Sequence, residues 1–386
     1  MNPITGPLPL EAPTSNISPF DWTAPELLCT APLLYSLASE ISWQCVLLKS
    51  REPFLQVQKA VHRPTNYPGE SRRPAELIRC LDLAFEDPVL WGLIPSLVGP
   101  LCNLKTIIFS GRTRSFRYFY DLPPSLLMPN PHPSPFPASL TSVLFSSPTF
   151  AVTMGDLKLL SVMVPQLERL QVTVFLPAGG TLEQSFFPSL RWLSIGGFRR
   201  LVNDIEQPSS SSLTTLLSAL SVGSGLRNLV RLDILTDMRL PDTFLDTHGP
   251  SLKILSIPSH HHRCIRAWSV FPRFTALEKL IILLEPKISA LPRNPNIHLQ
   301  EIVFICPPLP FISNRPNEAD FAILTQVDYF IADIVSVAEA YAALRRIAVS
   351  IPQWTPASDE WLRAQRERLA PHNIAITLSV GERLGP

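Results

Sequence analysis

One apolar pattern recurs along most of the 386-residue chain: an apolar residue, two positions, a second apolar residue, one position, a third. It reads Ile78-Leu81-Leu83, Leu104-Ile107-Phe109, Leu140-Val143-Phe145, Leu167-Leu170-Val172 and Leu190-Leu193-Ile195 in the first half. It continues as Leu229-Leu232-Ile234, Leu252-Leu255-Ile257, Leu277-Leu280-Ile282, Leu299-Ile302-Phe304 and Leu344-Ile347-Val349. The last two positions of each copy lie two apart, so they share one face of a short strand, and the first turns in just ahead of it. Successive first positions are separated by 26, 36, 27, 23, 39, 23, 25, 22 and 45 residues. Most of these gaps match the period, about 20–29 residues, of short stacked repeats, each of which buries its apolar side against its neighbours.

The three long gaps hold identifiable insertions. Gly111–Ser139 is proline-rich, Gly196–Asn228 holds Pro208 and the run Ser209–Ser212, and Pro307–Ala343 holds a loop and a helix. Pro165, Pro188 and Pro250 each sit two residues before a first Leu. Proline cannot extend a preceding helix and biases the chain toward extended structure, as a helix-to-strand junction requires. Leu213, Leu216, Leu217 and Leu220 predict a helix after the serine run, and 156–164 predicts another. Leu324, Val327, Phe330, Ile331, Ile334, Val337 and Tyr341 form a longer amphipathic stripe. A strand at Leu344–Ser350, a helix at Asp359–Leu369 capped by Ser358, and a strand at Asn373–Val380 close the chain. Strand-forming repeats separated by helices predict an α/β architecture, and a non-repetitive α/β fold is the alternative.

Composition narrows the function classes. The chain is 46% hydrophobic but only 17% charged, with 41 prolines against 15 glycines, which favours turns and extended segments over long helices. With 33 basic and 32 acidic residues it lacks the basic excess of a nucleic-acid binder. Its uncharged stretch at 88–104 is interrupted by Pro95, Gly99 and Pro100, so no membrane span is predicted. Lys49 is the first basic residue and no apolar run follows Met1, which predicts no secretory signal. Cysteines 29, 45, 80, 102, 264 and 306 form no CxxC pair. Scattered, reduced, mostly buried thiols are expected, with a cytoplasmic or nuclear location.

The ten copies resemble the leucine-rich repeats of F-box proteins, over roughly Ile78 to Val349. Regular repeats continue with an Asn that bonds the turn; here Ile195-Gly196-Gly197-Phe198 and Ile257-Pro258-Ser259-His260 stand instead. The segment from Leu27 to Leu48, with Leu34-Tyr35-Ser36-Leu37 and Trp43, resembles the second half of an F-box and the stretch after it. Pro13, Pro19 and Pro25 interrupt a first helix. The resemblance implies an irregular leucine-rich-repeat solenoid: a curved parallel sheet with helices on the convex side and a short N-terminal helical cap. The Pro, Ser and Thr content of residues 1–25 predicts disorder there, while the resemblance implies an F-box-like helical remnant and cap at 26–70 and the solenoid with its C-terminal helix-strand cap at 71–386. It further implies the substrate-recognition subunit of a Skp–cullin–F-box type ubiquitin ligase, with the cullin adaptor subunit as partner of the N-terminal segment. A stand-alone repeat scaffold and a hydrolase on a non-repeat α/β fold are the alternatives.

Candidate chemistry is sparse. No GxSxG, P-loop, HExxH or dinucleotide-binding glycine pattern occurs, so neither catalytic nor cofactor-binding residues are expected. His260-His261-His262 with Cys264 is the most metal-like cluster, but adjacent residues cannot readily place three rings around one ion, and a solvated loop is favoured. Arg112, Arg114 and Arg117 interleave with Phe116, Tyr118, Phe119 and Tyr120, a pattern that can stack on single strands; a loop packing its aromatics is favoured. Asp242 and Asp246 near His248 could do acid–base work but read more simply as a solvated helix face. The outward strand positions are the better candidates. A protein-binding face is expected at Arg169, Gln171, Trp192, Ser194, Arg231 and Asp233, continuing through Ile254, Ser256, Lys279 and Glu301.

Overall fold

A computed structural model describes residues 43–63, 73–111, 136–147, 150–177, 187–196, 210–221, 226–236, 238–258, 271–284, 298–305, 316–351 and 356–380. The chain divides into two compact units, 1–180 and 181–386. Both are α/β with parallel sheets, a repeat-like architecture.

In the first unit the strands are β1 (Cys45–Leu48), β2 (Cys80–Leu83), β3 (Thr106–Phe109), β4 (Ser142–Phe145), β5 (Ala151–Thr153), β6 (Arg169–Val172) and β7 (Val174–Leu176). A parallel ladder runs β1-β2-β3-β4-β6, and β5 pairs with β7 apart from it. Its register aligns equivalent positions of each copy: Leu81 with Ile107, Val143 and Leu170, and Leu83 with Phe109, Phe145 and Val172. Behind this layer Phe54, Phe85, Trp91, Phe109, Phe145 and Phe150 are all buried, with contacting ring centroids 5.0–5.7 Å apart.

The second unit contains β8 (Trp192–Ile195), β9 (Arg231–Ile234), β10 (Ile254–Pro258), β11 (Lys279–Leu283), β12 (Glu301–Ile305), β13 (Arg346–Ile351) and β14 (Ala375–Val380), paired in chain order and all parallel. Leu193, Leu232, Leu255, Leu280, Ile302, Ile347 and Ile376 form one continuous row. All three positions of all ten copies are buried, none more than 5% exposed. At about 1.5–3 kcal/mol for each fully buried aliphatic or Phe side chain, this stripe is the main stabilising layer.

The expected helices form at 210–221 and 316–336, and the one expected at 156–164 occupies Met154–Met163. There Thr153 and Asp156 make a reciprocal capping box, which moves the start two residues earlier. The C-terminal helix also starts early, at Pro356, because proline suits the first turn; Ser358 lies inside the helix, fully buried, and is not its cap. Within the segment expected to be a helical cap, residues 45–48 instead form β1, followed by a helix at Arg51–Val61. Trp43-Val46-Leu48 is an eleventh copy with tryptophan in the first place, all three buried.

The linking asparagines stand in a different place from regular repeats. Asn103, just before Leu104, donates to the Glu76 carbonyl at 2.7 Å, and Asn228, just before Leu229, donates to the Pro188 carbonyl at 2.8 Å. Ser139 before Leu140 likewise donates to the Leu104 carbonyl at 2.8 Å. Each acceptor belongs to the preceding copy, so the residue ahead of the first apolar position ties neighbours together. Gly196 ends β8 at φ 86°, a left-handed conformation that favours glycine, and a Cβ there would collide with Thr236.

Candidate functional site

Positions between the buried ones point to the other face of each sheet. In the second unit register arranges them in rows. The first row is Trp192, Arg231, Ile254, Lys279, Glu301 and Arg346; the second is Ser194, Asp233, Ser256, Ile281, Val303 and Ala348. Four of the six expected binding residues therefore meet on β8 and β9.

They form one bonded cluster. Trp192 Nε1 donates to Asp233 Oδ2 at 2.6 Å, Ser194 Oγ donates to the same oxygen at 3.2 Å, and Arg231 Nε donates to Oδ1 at 2.9 Å. The Arg231 guanidinium carbon stands 3.8 Å from the Trp192 ring centroid. Register explains the geometry: Trp192 pairs directly with Arg231, and Ser194 with Asp233. Asp233 is buried and its charge is compensated by Arg231 and three donated hydrogen bonds, as a buried carboxylate requires. A stacked cation and aromatic ring, held by one carboxylate, can meet a partner's apolar or acidic group.

Further along the row, Lys279 Nζ contacts Glu301 Oε2 at 2.9 Å and Arg346 Nη1 contacts Glu301 Oε1 at 3.5 Å. Arg346 was absent from the expected face, although it occupies the same offset in the last copy as Arg231 does in its own. Arg169 and Gln171 lie on β6 of the first unit, half-buried, with side chains on the non-core face of that strand.

The expectation of an open face needs correction at the second row. Ser194, Asp233 and Ser256 are buried, and so are Ile281, Leu283, Val303, Ile305 and Ala348, which form a second apolar cluster. The first row keeps intermediate exposure at Trp192, Arg231, Lys279 and Glu301. The signal was present in Lys279-Leu280-Ile281-Ile282-Leu283 and Glu301-Ile302-Val303-Phe304-Ile305: continuous apolar runs mark parallel strands covered on both faces.

Asp242 and Asp246 are exposed, and both contact Arg273 Nη1, at 3.0 and 3.1 Å, the solvated helix face expected. His248 is instead buried beside Phe244, and burial lowers its pKa below the ordinary value. The His260–His262 and Cys264 cluster and the arginine–aromatic run at 112–120 lie outside the described residues. Among the described residues no group of three His, Cys, Asp or Glu side chains is placed to hold a metal, and no helix is long and apolar enough to cross a membrane.

The cysteines also depart from expectation. Cys45 and Cys102 are exposed rather than buried, and Cys45 pairs directly with Cys80 across β1 and β2. This juxtaposition was hidden because the eleventh copy starts with Trp43 rather than Leu. No protein-family model matches the sequence, and no curated protein matches it significantly.

Proposed function

We propose that the chain is an irregular leucine-rich-repeat solenoid that recognises a protein partner through the first row of the second unit's sheet. In this reading it serves, in the cytoplasm or nucleus, as the substrate-recognition subunit of a Skp–cullin–F-box type ubiquitin ligase. The observation that carries the recognition reading is Arg231 laid over Trp192 and fixed by Asp233. Tryptophan and arginine dominate interface hot spots, and an anchor already immobilised loses little entropy on binding. The ligase role rests on the resemblance of the N-terminal segment.

The test is capture of the purified adaptor subunit by the full chain and by a chain lacking residues 1–42, which leaves β1 in place. Binding by the full chain that disappears on truncation supports the ligase role; no binding by the full chain leaves a repeat scaffold without that role. Partners captured by the full chain are then compared with those of a W192A/R231A variant. Capture should weaken at least about tenfold, as loss of two anchors implies; unchanged capture would remove this face from the reading.

A further inference from the structure

The first row of the first unit begins with two thiols. Cys45 on β1 and Cys80 on β2 are directly paired in the parallel ladder, and Asp82 follows Cys80 by two residues on the same face. Paired strands stand about 4.8 Å apart, inside the roughly 4.4–6.8 Å separation of Cα atoms that a disulfide spans. The two cysteines differ in access: Cys45 is exposed, Cys80 half-buried. Beside them, Ser110 Oγ donates to Asp82 Oδ1.

We propose that Cys45 and Cys80 are a redox-modification site for low-molecular-weight disulfides of the glutathione class, with Cys45 the attacking thiol and Cys80 the resolving one.

The charge pattern divides the roles. The hydrogen bond from Cys80 outweighs burial and the nearby Asp82 carboxylate, and it brings Cys45 down to about 7. Cys80 is driven strongly upward by that same bond, by burial, and by the charges of Cys45 and Asp82. Burial also raises Asp82 above its ordinary value, against the Ser110 hydrogen bond and the Lys49 charge. The pair thus gives up one proton readily and holds the other, the arrangement of a nucleophile and its resolving partner.

The chemistry balances in two exchanges. The Cys45 thiolate attacks one sulfur of the small disulfide, forming a mixed disulfide and releasing one small thiolate. Cys80 then loses its proton to solvent and attacks the Cys45 sulfur. The bond to the small thiol breaks, the Cys45–Cys80 bond forms, and a second small thiolate leaves. Two protein thiols are oxidised by two electrons, and the small disulfide is reduced to two thiols. A covalent link would then join β1 to β2.

The test uses the full chain with oxidised glutathione, followed by peptide mapping under non-reducing conditions. The wild-type chain should yield a Cys45–Cys80 crosslinked peptide, reversed by excess reduced glutathione. C80S should stop at the glutathione adduct on Cys45, and C45S should give no crosslink. A second readout needs no variant: with limiting iodoacetamide at about neutral pH, Cys45 should alkylate about fivefold faster than exposed Cys102, because its own pKa of about 7 raises its thiolate fraction while making that thiolate a weaker nucleophile. A crosslinked peptide with the faster alkylation establishes the site. Cys45 no faster than Cys102, or a wild-type chain without crosslink, would overturn the proposal.

Discussion

The two units use one repeat and fill it differently. In the first, the layer behind the strands is aromatic, six buried rings spanning Phe54 to Phe150. On its opposite face Cys45 is exposed and Leu47, Cys80, Asp82 and Thr106 are half-buried, while Ile108, Ser142 and Leu144 further along the ladder are buried. In the second, the strand positions are aliphatic apart from Phe304, and a second apolar cluster occupies the opposite face. The contrast teaches that the LxxLxI spacing dictates only one side of such a sheet. The intervening residues decide whether the other side stays accessible, and they also decide where chemistry can sit. The thiol pair stands at the accessible β1–β2 end of the first unit's face; the Trp192–Arg231 anchor stands at the margin of the covered cluster in the second.

The largest expected effect falls in the aromatic layer. Phe109 is stacked at 5.0 Å on Phe145 and at 5.7 Å on Trp91, so Phe109→Ala should cost about 3–5 kcal/mol, read from the denaturant midpoint. A cost below about 1 kcal/mol would mean that the rings do not form one packed layer. The next effect compares the opposite faces directly. Ile281 is 3% exposed, so Ile281→Ala should lose about 2–4 kcal/mol, while Leu47→Ala, at a half-buried place on β1, should lose about 1 kcal/mol. Equal losses would abolish the distinction between the accessible β1–β2 end of the first unit's face and the covered cluster of the second. The smallest effect is titration of His248. Its folded-state pKa lies below the ordinary value, so the unfolded chain takes up the proton first. Stability should be complete above about pH 7 and fall as pH drops through the ordinary value of about 6.5 toward the folded one. His248→Phe should flatten that part of the stability profile, and an unchanged slope would assign it to other groups.

Much of the strand framework was legible in the sequence because a two-residue offset between apolar positions has one structural meaning in a half-buried strand. The stripe from Leu324 to Tyr341 was equally plain, and its members from Leu324 to Ile334 are buried on one helix. Boundaries moved where a local bond decided them, as with the Thr153–Asp156 box and Pro356. The first copy was missed because tryptophan stood for leucine. In the candidate site, Trp192, Ser194, Arg231 and Asp233 were legible as neighbours, since register alone brings them together. Their mutual bonding was not, because side-chain direction and depth depend on what lies over the strand. Covering of the second row was readable in principle from the apolar runs of β11 and β12, but periodicity that marks one face says nothing about the other.

The asparagine and serine ties reach beyond packing. Asn103, Ser139 and Asn228 each fasten the entry of one copy to the copy before it, so the chain carries a ruler at the front of these repeats. Spare length accumulates after the strands, in the three longest intervals of 36, 39 and 45 residues. An engineer inserting an affinity tag or a fluorescent reporter would choose those downstream stretches. One extra residue between Asn228 and Leu229 would displace the ruler itself, throwing a single tie out of reach while leaving every apolar residue unchanged.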